Sequence, residues 1–159
     1  DRARALVAAG IPVVGHVGLT PQTAVSLGGY RAQGRTVETA LALRDDALAL
    51  QDAGCAMLVI EAVPREVTEL IMPLMRIPVI GIGAGSATDG QVLVFHDLLG
   101  IYDGPAARFV KRYANVREAS VAGVAEYARE VREREYPAPE HEYAMPDAEA
   151  QRLREESTA

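Results

Sequence analysis

The sequence predicts an α/β protein made of βα units around a parallel sheet, and three observations lead there. Short apolar runs recur at Ile11–His16, Ala56–Glu61, Ile77–Ile82 and Gln91–Phe95, separated by turn residues and amphipathic stretches, which is the pattern of βα repeats. Two of these runs, MLVI and IPVIGI, are apolar on successive residues, as expected for strands buried on both faces. The 159 residues are 49% hydrophobic and 24% charged, a composition that folds as a globular domain and excludes a disordered chain. A barrel and a doubly wound sheet both fit this pattern.

Taken in order, Asp1–Ala9 has high helix propensity and ends at Gly10, a suitable residue just past a helix end. The first strand follows at Ile11–His16, then a long loop rich in Gly, Thr and Pro through Arg35. A helix is expected from Thr36 to Ala53. There Ala40, Leu43, Ala47 and Leu50 share one face, and Glu38, Asp45 and Asp52 share another. Gly54 ends it, and the second strand, Ala56–Glu61, begins almost at once. Pro64 opens a third helix that reaches about Met75, with Pro73 distorting its last turn. The third strand, Ile77–Ile82, runs into Gly83-Ala84-Gly85, and the fourth, Gln91–Phe95, leads into His96-Asp97. A short helical segment is expected near Phe109–Tyr113 and a long helix from Val116 to Glu135. The long helix carries a Val121, Val124, Ala128, Val131 stripe and a Glu130–Arg134 pair, and Pro137 and Pro139 stop it. Residues 144–159 are polar and charge-rich and read as a frayed tail or an isolated helical turn.

Charge and patterning exclude several function classes. With 16 basic against 22 acidic residues the net charge is −6, and no basic patch suggests a nucleic-acid partner. No apolar run approaches the roughly 20 residues needed to span a bilayer, and no signal-like segment opens the chain, so a cytoplasmic protein with no membrane partner is expected. The single cysteine, Cys55, borders an apolar run and reads as a buried, inert thiol.

In parallel α/β proteins the chemistry gathers at the carboxyl ends of the strands. Here those ends carry His16, Glu61, the glycines Gly83 and Gly85, and His96. Glu61 follows four apolar strand residues directly, where a carboxylate is costly to bury without a partner or a chemical task. His16 fits a catalytic group and equally a hydrogen-bonded histidine packed beneath the turn at Gly18–Gln22. His96, beside Asp97, reads as structural. The stretch Gly81–Gly85 lacks dinucleotide spacing, and its glycines suit close passage of a ligand or neighbouring chain. Arg31 and Arg35, in the long loop after the first strand, could meet an anionic ligand or be solvated.

Six blocks also carry a resemblance: GIPVVGHVGLTPQ (Gly10–Gln22), LGGYRAQGR (Leu27–Arg35), LVIEAVP (Leu58–Pro64), IPVIGIGAG (Ile77–Gly85), TDGQVLVFHD (Thr88–Asp97) and YPAPEHEY (Tyr136–Tyr143). In order and spacing they resemble the ketopantoate hydroxymethyltransferase family. The resemblance implies the C-terminal half of a (β/α)8 TIM barrel: strands five to eight in residues 1–115, a C-terminal helix and terminal motif in 116–143, and a polar tail in 144–159. It also implies transfer of a hydroxymethyl group from 5,10-methylenetetrahydrofolate to 3-methyl-2-oxobutanoate, giving 2-dehydropantoate, with Mg²⁺ on the keto acid. By the same resemblance Glu61 is the general base and His16 an active-site histidine. The family's metal-binding carboxylates and substrate lysine fall in the first four strands, upstream of Asp1, so no metal ligand is assigned in this chain. A homo-oligomer, commonly a decamer, is implied as well. Two alternatives stay open: another 2-oxo-acid lyase of the phosphoenolpyruvate/pyruvate barrel superfamily, and a non-catalytic half-barrel assembly module.

Overall fold

A computed structural model describes residues 1–23, 25 and 29–157. Leu27 and Gly28 of the LGGYRAQGR block, and the last two residues of the tail, lie outside the described residues. The chain divides into two compact units, Asp1–Ala114 and Asn115–Ala159.

The first unit is built on a four-stranded sheet of order β1-β2-β3-β4, comprising Val14–Gly18, Met57–Glu61, Val79–Ile82 and Gly90–Gln91, with every neighbouring pair parallel. The helices α1 (Arg2–Ala8), α2 (Val37–Asp52) and α3 (Arg65–Ile71) alternate with the strands as the periodicity predicts. Thr36 caps α2 by accepting a hydrogen bond from the Thr39 amide, and the Thr36 amide in turn donates to Thr39 Oγ1. Beyond Ile71, Pro73 tightens the chain into a 3₁₀ turn at Met72–Leu74, since its ring removes the amide that an α-turn needs.

One face of the sheet is sealed. Val17, Leu58, Ile60 and Val79 pack with Ala47 of α2 and Val67 and Ile71 of α3. Ala40, Leu43 and Leu50 flank this core from α2, so the apolar stripe does face the sheet. On the other face His16, Met57, Val59, Glu61 and Ile80 are half-buried and Ile82 is buried. Burial on both faces is therefore met only in part: the helix-covered side is fully buried, the other side mostly half-buried among the described residues. Cys55 is buried, as expected.

Several boundaries also differ from the sequence reading. The first strand starts at Val14 and continues past His16 to Gly18, so His16 lies inside β1 and Gly18 stands opposite Glu61. Pro12 has no amide to donate, and cross-strand bonding begins only where Ala56 N–H reaches Val13 O at 2.8 Å. The fourth strand stops at Gln91, and Phe95–Leu98 forms the short helix α4, so His96 does not close a strand. Val92, Val94 and Phe95 stay exposed, so no burial favours extension; residues 92–94 take no regular structure and α4 begins at Phe95. No helix forms at 109–113. Phe109 is instead drawn against Leu19 and Ala62, tertiary packing overriding local propensity.

In the second unit, α5 spans Val116–Glu133, two residues short of expectation. Arg134 turns left-handed at φ 60°, and the Glu135 amide folds back to Glu130 O at 2.8 Å. That turn takes Arg134 out of the helix, and the ion pairs centre on Arg129 instead, with Glu126 at 2.8 Å, Glu135 at 2.9 Å and Glu133. Val121, Val124 and Val131 are exposed. The tail is more ordered than an isolated turn, because Asp147–Glu156 forms the ten-residue helix α6. Alanine, glutamate and arginine favour helix there, and Arg152 joins Glu149 and Glu156 at three- and four-residue spacing.

Candidate active site at the carboxyl ends of the strands

Strand β2 alternates between the sealed and open faces, so Leu58 and Ile60 go into the core while Glu61, the last strand residue, goes to the open face. Strand β1 lies beside it with His16 two residues before Gly18, the residue opposite Glu61. This diagonal brings His16 Nε2 within 3.1 Å of Glu61 Oε2, with side-chain exposures of 29% and 14%. The two residues singled out from the sequence therefore meet. The two atoms are close but make no hydrogen bond. His16 Nε2 is buried with no hydrogen-bond partner among the described residues.

The backbone around Glu61 is specialised. Gly18 has φ +90°, and a Cβ there would lie 2.2 Å from Glu61 O and 2.8 Å from a Val63 methyl. Ala62, directly after Glu61, holds the left-handed value φ 49°, rare for a residue with a side chain. Three contacts fix it there. Ala62 N–H donates to Ile82 O at 2.8 Å, Gln33 N–H donates to Ala62 O at 2.9 Å, and its methyl packs in the cluster with Leu19 and Phe109.

Glu61 lines a cavity of about 640 Å³ together with Ala62, Gly83, Asp97, Arg108 and Phe109. That size is in the range of small-molecule sites. Gly83, at φ +63°, leaves room for the Phe109 ring, 2.3 Å from where a Cβ would sit. The close passage that its glycine allows is by this ring. His16 faces a second cavity of about 530 Å³ with Gly18, Thr20, Leu43 and Asp46. The two members of the pair thus line different cavities.

His96 does not join the pair: its ring stacks edge-on against Phe95 at 5.9 Å, and it is exposed. Its neighbour Asp97 lines the Glu61 cavity instead. The TDGQ block is structural, with Asp89 accepting from the Val79 amide at 2.8 Å and Gln91 donating to Gly85 O at 2.9 Å and Thr88 Oγ1 at 2.8 Å. Arg108 and Phe109 were missed as cavity residues. Their only sequence signal is their place in a long segment without regular structure, a common location for binding groups.

No group of three or more His, Cys, Asp or Glu side chains among the described residues could hold a metal ion. The resemblance assigns no Mg²⁺ ligand to this chain, and no step below is routed through the ion. No described helix is long and apolar enough to cross a membrane.

A sequence model of the family described as Ketopantoate hydroxymethyltransferase matches residues 1–139. The 3-methyl-2-oxobutanoate hydroxymethyltransferase of Nitratidesulfovibrio vulgaris (strain DP4) is 56% identical over 146 residues, covering 92% of this chain and 48% of that protein. The enzyme of the same name from Oleidesulfovibrio alaskensis is 52% identical over 151 residues, covering 95% of this chain and 52% of the relative. That from Heliobacterium modesticaldum is 54% identical over 144 residues, covering 91% and 52%. The chain spans about half the length of the curated relatives it matches. By the family match and these identities, the chain belongs to the ketopantoate hydroxymethyltransferase family.

Proposed function

We propose that this chain carries the proton-abstracting part of an enzyme that transfers a hydroxymethyl group from 5,10-methylenetetrahydrofolate to 3-methyl-2-oxobutanoate. The observation that carries the reading is Glu61. It is a mostly buried strand-end carboxylate in a cavity of about 640 Å³, with His16 at 3.1 Å, in a chain whose relatives are named as 3-methyl-2-oxobutanoate hydroxymethyltransferases. Overall, the keto acid, the methylene donor and one water give 2-dehydropantoate and tetrahydrofolate. The C3–H bond of the keto acid breaks and a C–C bond forms to the donor's one-carbon unit, while the two C–N bonds that hold that unit to the folate break; water supplies the hydroxyl, and its other proton and the C3 proton balance the two nitrogens of the released tetrahydrofolate.

In this reading Glu61 accepts the C3 proton, a contribution typically of 10²–10⁴-fold for a placed general base. His16, with an unpartnered buried Nε2, donates a hydrogen bond to the bound acid or to the oxyanion that develops on its keto group. Mg²⁺, where the complete enzyme holds it, would spread the same oxyanion charge, on ligands other than a cluster of the described residues.

The four parallel strands are, in the same proposal, strands five to eight of a (β/α)8 barrel. The half-buried face with Met57, Val59 and Ile80 supports this, since a closed barrel would fill its interior there. A homo-oligomer is part of the proposal too. Val124→Glu, which charges an exposed apolar position on α5, should lower the mass of the complete protein by light scattering, and unchanged mass would refute that part.

The test of the reaction is product formation. The complete polypeptide carrying this chain should convert 3-methyl-2-oxobutanoate to 2-dehydropantoate only when 5,10-methylenetetrahydrofolate is supplied. Cleavage of a 2-oxo acid without the folate would favour the lyase reading, and absence of any turnover the non-catalytic module.

A further inference from the structure

Two arginines line the Glu61 cavity, and the reaction as proposed gives neither a task. Arg31 and Arg108 both line it, both are exposed, and neither hydrogen-bonds or ion-pairs through its side chain with any described residue. This holds although Glu61 and Asp97 line the same space. A guanidinium beside carboxylates that it does not bind is free to take an anion from outside. Its planar fork matches a carboxylate with two parallel hydrogen bonds.

The backbone on either side is held to the strand ends. On one side Gln33 N–H bonds Ala62 O at 2.9 Å, and the Gln33 side-chain amide donates to Arg31 O at 2.9 Å. On the other, Phe109 is seated against Leu19 and Ala62 and over Gly83, and this fixes the chain immediately next to Arg108. Both arginines are thus tethered to the residue that follows Glu61. The cavity lining is thus of mixed charge, with the carboxylates of Glu61 and Asp97 and two exposed arginines whose side chains have no partner among the described residues.

We propose that Arg31 and Arg108 form a carboxylate-binding subsite that orients a bound molecule with its reacting carbon toward Glu61 and its acid group toward the guanidiniums. Two molecules of the proposed reaction carry such a group: the keto acid itself and the glutamyl tail of the folate. The choice of probes rests on that reaction, but the binding does not require turnover.

The test uses the complete polypeptide carrying this chain, with Arg31→Gln, Arg108→Gln and the double variant. Dissociation constants are measured by calorimetry for 3-methyl-2-oxobutanoate, for tetrahydrofolate with one glutamate and for tetrahydrofolate with three. The double variant should weaken at least one probe by about tenfold or more, the value of a lost charge-assisted hydrogen bond. Arg108→Lys should recover part of that loss. Weakening of the keto acid alone identifies its carboxylate as the occupant, and weakening that grows with glutamate number identifies the tail. Because both side chains are exposed and unpartnered, thermal unfolding should be unchanged in the variants. Dissociation constants within twofold of the parent for all three probes would overturn the subsite, as would a parent that binds none of them. Failure of the reaction itself shows separately, as absence of C3 deuterium exchange in the parent protein.

Discussion

Gly18→Ala is a perturbation whose cost can be worked from the site. At φ +90° a side chain is strained by about 1–2 kcal/mol before any contact is considered. The added methyl would also lie 2.2 Å from Glu61 O, where ordinary contact begins at 3.4 Å, so β1 and β2 must part by about 1 Å. That movement stretches the Leu19 N–H to Glu61 O bond, now 2.9 Å, worth about 1 kcal/mol. The sum is about 2–3 kcal/mol, together with a displaced Glu61, and a misplacement of about 1 Å costs about 10²-fold in rate. Gly10→Ala is the matched control, since Gly10 has φ +79° but nothing within 4 Å of a Cβ, leaving only the backbone cost of about 1–2 kcal/mol. Urea unfolding and deuterium exchange at C3 of the keto acid, measured on both variants in the complete protein, separate the two effects. If Gly18→Ala is no less stable than Gly10→Ala, or exchanges at the parental rate, the close fit of Gly18 to Glu61 does not matter as argued.

Two further outcomes test the fold. Leu58→Ala, at a fully buried position between the sheet and its helices, should cost about 2–5 kcal/mol by denaturant titration, and a loss under 1 kcal/mol would mean the core is not where described. In the second unit, hydrogen bonding and attraction from Arg129 hold Glu126 below the usual carboxylate value of 4.5. A lowered folded value means that the pair stabilises α5 above pH 4.5 and ceases to as Glu126 protonates below it. Helicity of α5 should therefore fall on acidification, and Arg129→Ala should remove that part of the pH dependence.

The sequence made some of this plain and hid the rest for identifiable reasons. Helix α2 was legible because its cap at Thr36, its core face through Ala40, Leu43, Ala47 and Leu50, and its stop at Gly54 all agree. Glu61 was legible because a carboxylate closing an apolar strand is unusual. The end of β1 was not, since Gly18 extends the strand through its register with Glu61, a cross-strand relation that no local pattern records. The apolar run at Val92–Phe95 has the pattern of a strand, but it lacks the cover a strand needs, and residues 92–94 take no regular structure. Phe109 comes to the cavity through contacts with Leu19 and Gly83, far away in sequence, and Arg108 is its neighbour in the chain. For α6, low apolar content concealed good helix formers and favourably spaced charges.

The central claim is that Glu61 removes the C3 proton of the keto acid, and one exchange measurement tests it most directly. Glu61→Gln keeps the shape of the side chain and removes its basicity, so the complete enzyme should fold as before. Exchange of the C3 proton of 3-methyl-2-oxobutanoate for deuterium, followed without folate and with Mg²⁺ present, should slow by about 10²–10⁴-fold, equivalent to about 3–5 kcal/mol. His16→Ala should weaken binding of the acid more than it slows exchange, which separates a hydrogen-bond donor from a base. Exchange near the parental rate in Glu61→Gln would show that another group takes the proton and would contradict the assignment of Glu61.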